Sequence, residues 1–201
     1  QKELFDRASR AMFALVQRCR KLSLPLDIHI DLFDKTVLPV LSYGCEVWFP
    51  GYCELAQRLQ LKFYKLVLKL KKSTPTCMVL GEVGKPPVDV HTKIRMLCYW
   101  FKLVDHSNED KFASIVYRFT LKMHEHSAYI ECIQKLLTDL GLYGIWMNQS
   151  RITFSLQWFK EKIKRCLMDQ FIQKWFAEIN DPERNVFTNY RMFKDSFAQE
   201  S

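Results

Sequence analysis

The sequence predicts an all-α protein, an irregular bundle of about seven to nine helices around one kinked central helix. Three observations predict it. Glycine and proline are scarce, at 6 and 7 of 201 residues, so turn formers are few. Apolar residues recur at three- and four-residue spacing over long stretches, which is the helical period. The most apolar stretch, Asp31 to Trp48, keeps that period across an internal proline. Hydrophobic residues at 48% and aromatics at 14% supply a core and argue against disorder. A chain of this length buries around 70% of the surface its unfolded form exposes, enough for one domain or a domain with an appendage.

In chain order, residues 2 to 21 read as an amphipathic helix. Leu4, Ala8, Ala11, Leu15 and Leu22 form its apolar stripe, and Arg7, Arg10, Arg18 and Lys21 gather on another face. Ser23-Leu24-Pro25 breaks it. In the stretch that follows, Leu32, Phe33, Val37, Leu38 and Leu41 share one face. Pro39 removes a backbone donor and kinks the helix without ending it, because the period resumes at Val40 and Leu41. Gly44 permits a turn, Tyr43 and Trp48 offer two rings to a core, and Pro50-Gly51 ends the segment.

Residues 53 to 72 read as one helix with Leu55, Leu59, Phe63, Leu66 and Leu70 on its apolar stripe. Arg58, Lys62, Lys65, Lys69 and Lys72 step the same way and occupy one narrow arc with no acidic residue among them. Such a ribbon is suited to phosphate contact. Lysines that snorkel from an ordinary solvated edge give the same pattern. Thr74-Pro75 reads as the N-cap and first residue of a short helix to about Glu82. Gly84-Lys85-Pro86-Pro87 forces an extended link, then opens a helix over residues 87 to 105 with Val90, Ile94, Leu97, Phe101 and Val104 toward the core. His91, Arg95, Lys102 and His106 share its opposite edge, with Tyr99 and Trp100 nearby.

Residues 105 to 110 form a polar break. Its carboxylates fit helix capping by Ser107 or Asn108 better than a metal site. A helix over 109 to 123 follows. His124 and His126, two apart, do not share a helix face and make a weak zinc pattern. Ser127 caps a helix through Leu140, with Gly141 as its stop. Residues 144 to 149 read as a loop carrying Trp146. Ser150 caps a long helix to about Ile179, with Phe159, Ile163, Leu167, Phe171 and Trp175 along it and Lys160, Lys162, Lys164 and Arg165 in its first half. A short helix over 188 to 198 contains Tyr190, Phe193 and Phe197.

The net charge is +8 and the pI about 9.1, which favours acidic partners, nucleic acid first. Seven cysteines at 19, 45, 53, 77, 98, 132 and 166 form no CxxC. They read as reduced thiols of a cytosolic or nuclear protein. No stretch approaches the ~18 apolar residues of a membrane span, and no membrane partner is expected. The chain has no Gly-rich phosphate loop, no Gly-x-Ser-x-Gly elbow and no Cys/His zinc spacing. Neither a cofactor nor a small-molecule ligand is expected. It opens in mid-helix and reads as a piece of something longer.

Several strings carry a family resemblance. Phe33-Asp34-Lys35-Thr36-Val37-Leu38-Pro39, followed by Tyr43-Gly44-Cys45-Glu46-Val47-Trp48, is similar to a Phe-Asp … Pro … Tyr-Gly-x-Glu-x-Trp pattern found C-terminal to the polymerase core in non-LTR (LINE-type) retrotransposon reverse transcriptases. Leu59 to Phe63, Lys71 to Pro75, Gly81 to Pro87, Tyr99 to Leu103, Gly141-Leu142 and Tyr190 to Lys194 also resemble it, in the same order. The chain departs from the family pattern at Ser42, where an apolar residue is usual, at Phe49-Pro50, where a Gly follows the Trp, and at Lys69, where a Gly follows the Leu. The resemblance implies a thumb and post-thumb region upstream of the family's zinc knuckle. Residues 1 to 106 would be a helical thumb-like subdomain and 107 to 201 a helical linker subdomain. It implies a non-catalytic module, since nucleotidyl transfer needs convergent carboxylates and the family's Asp-Asp pair does not occur in this chain. The parent would be an RNA-directed DNA polymerase. The implied partners are an RNA or DNA template–primer, held by its phosphate backbone, and the polymerase core of the same protein. Arg58, Lys62, Lys65, Lys69 and Lys72 would hold the phosphates, with Lys71, Arg95 and Lys102 in support. The alternative readings are a helical protein–protein interaction module and a decayed transposon-derived fragment.

Overall fold

The structure is a computed structural model that describes residues 2–48, 53–123, 127–183 and 185–198. Among them every regular element is helical: α1 Lys2–Lys21, α2 Leu26–Thr36, α3 Leu38–Leu41, α4 Cys45–Trp48, α5 Cys53–Val67, α6 Thr76–Val83, α7 Val88–Val104, α8 Phe112–Lys122, α9 Ala128–Asp139, α10 Tyr143–Met147, α11 Leu156–Ile179 and α12 Thr188–Phe193. The all-α fold with a bent central helix is the one the periodicity predicts. The number of pieces runs slightly above expectation because the bent helix divides into α2, α3 and α4, and because α10 forms where a loop was expected. The stop at Pro50-Gly51, the ring of Trp48 and the pair His124 and His126 lie outside the described residues.

The chain packs as two units that interleave along the sequence. One comprises residues 1–44, 50–89 and 171–201, the other residues 45–49 and 90–170.

In the first unit α1, α2, α3, α5 and α6 pack on one another. The buried stripe of α1 is Ala8, Met12, Val16 and Cys19. Leu22, expected on it, lies beyond the helix and is exposed, because Ser23 turns left-handed (φ 49°) and the Leu24 amide closes onto the Cys19 carbonyl at 3.1 Å. The bend of the central helix falls at Pro39, at the start of α3. Buried Ser42 returns its hydroxyl to the Leu38 carbonyl at 2.8 Å, so a polar residue sits inside without an orphaned group. Gly44 makes the turn with φ 69°. Tyr43, expected inside, is exposed because that turn carries it out of the buried face.

The same unit closes at its C-terminal segment. Trp175 on α11 donates its indole N–H to the Cys77 carbonyl of α6 at 2.8 Å. Tyr190 on α12 donates to the Met78 carbonyl at 3.3 Å. Both rings press on Gly81: a β-carbon there would stand 2.5 Å from Tyr190 Oη and 2.7 Å from Trp175 Cζ2. Arg191 donates to the carbonyls of Ile179 at 2.6 Å and Asp181 at 2.5 Å, satisfying the end of α11. The helix expected over 188 to 198 is shorter, and Phe193 is exposed. Helix α6 begins one residue later than expected, with Pro75 and not Thr74 at its cap.

In the second unit Trp100, Phe101 and Phe159 form the centre, with Phe101 and Phe159 stacked at 5.0 Å. Trp100, placed near the cationic edge by sequence, is fully buried. Its indole donates to Tyr117 Oη, which donates in turn to Gln149 Oε1, both at 2.8 Å. Trp146, on a helix where a loop was expected, is buried and stacks on Trp100 at 6.1 Å. Helix α8 starts at Phe112, later than expected, because Asp105 accepts the Ser107 amide at 3.0 Å and holds a 3-10 turn over His106–Asn108. Helix α9 ends as expected: Gly141 has φ 69° and the Leu142 amide closes onto the Leu137 carbonyl at 2.7 Å. Helix α11 starts at Leu156, not after Ser150, because Ser155 is the serine whose hydroxyl takes an orphan amide, that of Trp158 at 3.2 Å.

Two outcomes follow. Gly81→Ala forces Tyr190 and Trp175 apart and costs about 1–3 kcal/mol; in a chain of this size each kcal/mol lowers the melting point by about 2–4 °C. A melt that matches the parent would mean the two rings yield freely. Burial pushes the Tyr117 hydroxyl up to about 12, against the smaller opposing effect of the Trp100 hydrogen bond. A raised folded-state value means stability is fully present below the ordinary tyrosine pKa near 10 and is lost as pH rises from there through about 12. Alkaline unfolding followed by helical circular dichroism should therefore be shallower in that window for Tyr117→Phe than for the parent.

Candidate nucleic-acid interface

Helix α5 forms because strong helix formers fill it, and its helical period puts Ala56, Leu59, Phe63 and Tyr64 on the buried side. Leu55, expected in that stripe, is exposed, so the buried face is rotated from the expected one. Phe63 stacks on Phe33 of α2 at 4.3 Å. Gln60, only 3% exposed, was missed by the sequence reading. Its carboxamide donates to Tyr64 Oη at 3.1 Å and to the Pro86 carbonyl at 3.2 Å, and it accepts the Val88 amide at 2.9 Å. One side chain thus holds the extended link and caps α7. The link is also tied by Lys85, which pairs with Asp34 at 2.9 Å. Burial raises the Tyr64 hydroxyl, and nearby Asp34 adds to the rise.

The buried face turns Arg58, Lys62 and Lys65 outward, but the helix stops at Val67 and does not run to residue 72. Lys69 takes the left-handed position at φ 55°, and the Leu70 amide closes onto the Lys65 carbonyl at 2.9 Å. This is the stop a glycine ordinarily makes. No glycine or proline marks the end, so nothing in the local sequence announces it. Lys69, Lys71 and Lys72 consequently lie on the turn after α5 and are exposed.

The cations are not equivalent. Arg58 pairs with Glu54 one turn earlier at 2.5 Å, so the ribbon has an acidic residue at its head that the sequence reading left out. Lys65 donates to the Lys72 carbonyl at 2.8 Å and fastens the turn. The Lys62 ammonium stands 4.7 Å from the ring centre of Phe13 on α1, a cation–π contact with its other side open. Arg10, one turn before Phe13, is exposed on the same side of α1 and extends the basic surface. Among the described residues no carboxylate pairs with Lys62, Lys65, Lys69, Lys71 or Lys72.

Of the three supporting residues, Arg95 and Lys102 belong to the other unit. Arg95 is engaged with Glu46 through Nε at 3.1 Å and through Nη2, a pairing of residues far apart in sequence that no local pattern announces. Lys102 is exposed. Among the described residues no group of three or more His, Cys, Asp or Glu is placed to hold a metal ion, and no helix is long and apolar enough to cross a membrane. Among the described residues, Cys19, Cys45, Cys77, Cys98, Cys132 and Cys166 form no disulfide. Compared with family models, with curated proteins and with solved structures, the chain matches none.

Lys69→Gly should stabilise the protein by about 0.5–1 kcal/mol, since the left-handed penalty of about 1–2 kcal/mol exceeds the entropy glycine adds to the unfolded chain. Lys69→Ala should give no such gain. Denaturant midpoints rank the variants; a glycine variant weaker than the parent would show that the lysine side chain contributes more than its backbone costs.

Proposed function

We propose that the chain is a non-catalytic helical module of a LINE-type reverse transcriptase that grips template–primer nucleic acid by its phosphates beside the polymerase core. The observation that carries the reading is the run Lys62, Lys65, Lys69, Lys71 and Lys72, five cations on α5 and the turn after it with no carboxylate paired to them among the described residues. Such a surface offers point charges to phosphates and no donor set aimed at base edges, so binding is sequence-tolerant. Cysteines without disulfides among the described residues fit a reducing nuclear or cytoplasmic compartment. Within the first unit, segments that carry the family resemblance also meet: Tyr190 of the last one touches Gly81 of an earlier one.

A second reading, a protein-docking module, rests on α8. Phe112, Ile115, Val116, Phe119 and Met123 are all exposed there, at the spacing of one helix face.

The lysines decide between the readings. Each neutralised phosphate on B-DNA contributes about 0.9 to the fall of log affinity per unit log salt. Changing Lys62, Lys71 and Lys72 to glutamate spares Lys65, which fastens the turn, and Lys69, which shapes it. This triple variant should flatten the salt slope for duplex or RNA–DNA hybrid by about three and weaken binding to every sequence alike. A slope equal to the parent's removes α5 from the interface and leaves the docking reading.

A further inference from the structure

The second unit contains a cavity of about 360 Å³ between α7 and the first turns of α11. We propose that it binds a phosphate monoester, with Lys102 and Lys160 supplying the charge. Glu46 is the one carboxylate in its wall, and Arg95 beside it holds that carboxylate through two nitrogens, so the pair cancels. Lys102 and Lys160 remain, one from each helix, and among the described residues neither pairs with a carboxylate. Both act on the same point: burial pushes the Cys98 thiol up, while Lys160 and Lys102 pull it down. Leu156, the first residue of the 24-residue α11, also lines the cavity, which brings the positive end of a long helix to the wall.

Two uncompensated ammonium groups match a dianion better than a singly charged group. A phosphate monoester carries about −1.5 to −2 charges near neutral pH, where a backbone diester carries one. The cavity is larger than a phosphate alone, and Ile94, Tyr99 and Leu156 give it apolar wall for the group the phosphate is attached to. Resting on the nucleic-acid reading above, we assign that group as a nucleoside, free or at the end of a strand. The inference stands apart from the α5 lysines, and it gives Lys102 a different task from support of a duplex backbone.

Cys98 lies in the wall and is half-buried, so its alkylation reports occupancy. Cys132, also half-buried and outside the cavity, is the internal reference. The intact chain is treated with N-ethylmaleimide at fixed pH and ionic strength, and each cysteine is followed by peptide mapping. The probes are inorganic phosphate, adenosine monophosphate, and one short oligonucleotide with and without a 5′-phosphate. At about ten times the dissociation constant of a probe, some nine-tenths of the sites are filled, so Cys98 alkylation should slow about tenfold while Cys132 is unchanged. Protection by the mononucleotide alone assigns a free nucleotide; protection by the phosphorylated oligonucleotide as well assigns a strand end. Lys102→Gln with Lys160→Gln should abolish protection with helical content unchanged, and Lys102→Arg with Lys160→Arg should keep it. Changing Lys62, Lys71 and Lys72 to glutamate should leave it intact, whatever that variant does to duplex binding. Equal slowing at Cys132, equal protection by the unphosphorylated oligonucleotide, or no slowing by any probe overturns the proposal.

Discussion

Phe33 and Phe63, neither with exposed surface, stack at 4.3 Å with their planes 20° apart, and the first unit depends on that contact. An offset aromatic pair contributes about 0.5–1.5 kcal/mol beyond the burial of its area. Its larger effect is geometric. Once Phe63 is pinned, α5 has one rotation about its axis, Gln60 is committed to the interior, and Lys62 to the surface. Gln60 then uses both kinds of atom in its carboxamide, donating twice and accepting once. A buried amide left unpaired would cost about 1–3 kcal/mol. The orientation of the charged surface is therefore a consequence of an uncharged one.

How much of this the sequence reveals varies with the physical origin of each feature. Periodicity sufficed for the long helices and Pro39 for the bend, because both are local. Glycine at 141 announced the end of α9, since left-handed backbone is cheap there. Lys69 adopts the same conformation without the residue that signals it, so the end of α5 was invisible. The buried face of α5 was misplaced by a fraction of a turn because leucines occur on several sides of it. Only the tertiary partner Phe33 chooses among them. Ser150 and Ser155 are equivalent in composition, and which one caps α11 depends on where the chain enters the helix. Of the proposed contact residues, those on α5 were legible as a group. The engagement of Arg95 by Glu46 was not, because it joins residues 49 positions apart.

Lys69 is both a backbone stop and a surface charge. The backbone at residue 69 has the shape a glycine favours, yet a lysine occupies it. A cation is thereby added to a turn that already presents Lys71 and Lys72, at a conformational cost of about 1–2 kcal/mol. Strain retained at an exposed charged turn is the kind of local cost that concentrates at binding surfaces.

The seam at Gly81 sets a condition on the order of events as the chain folds. Trp175 reaches the Cys77 carbonyl across 98 residues, and Tyr190 reaches Met78 across 112. Closing loops of that length is entropically slow relative to local helix formation. On a ribosome, synthesis at about 5–20 residues per second leaves α6 waiting several seconds for its partners. During that interval the notch over Gly81 lacks the two rings that cover it, and the first unit is complete only when α11 and α12 have arrived.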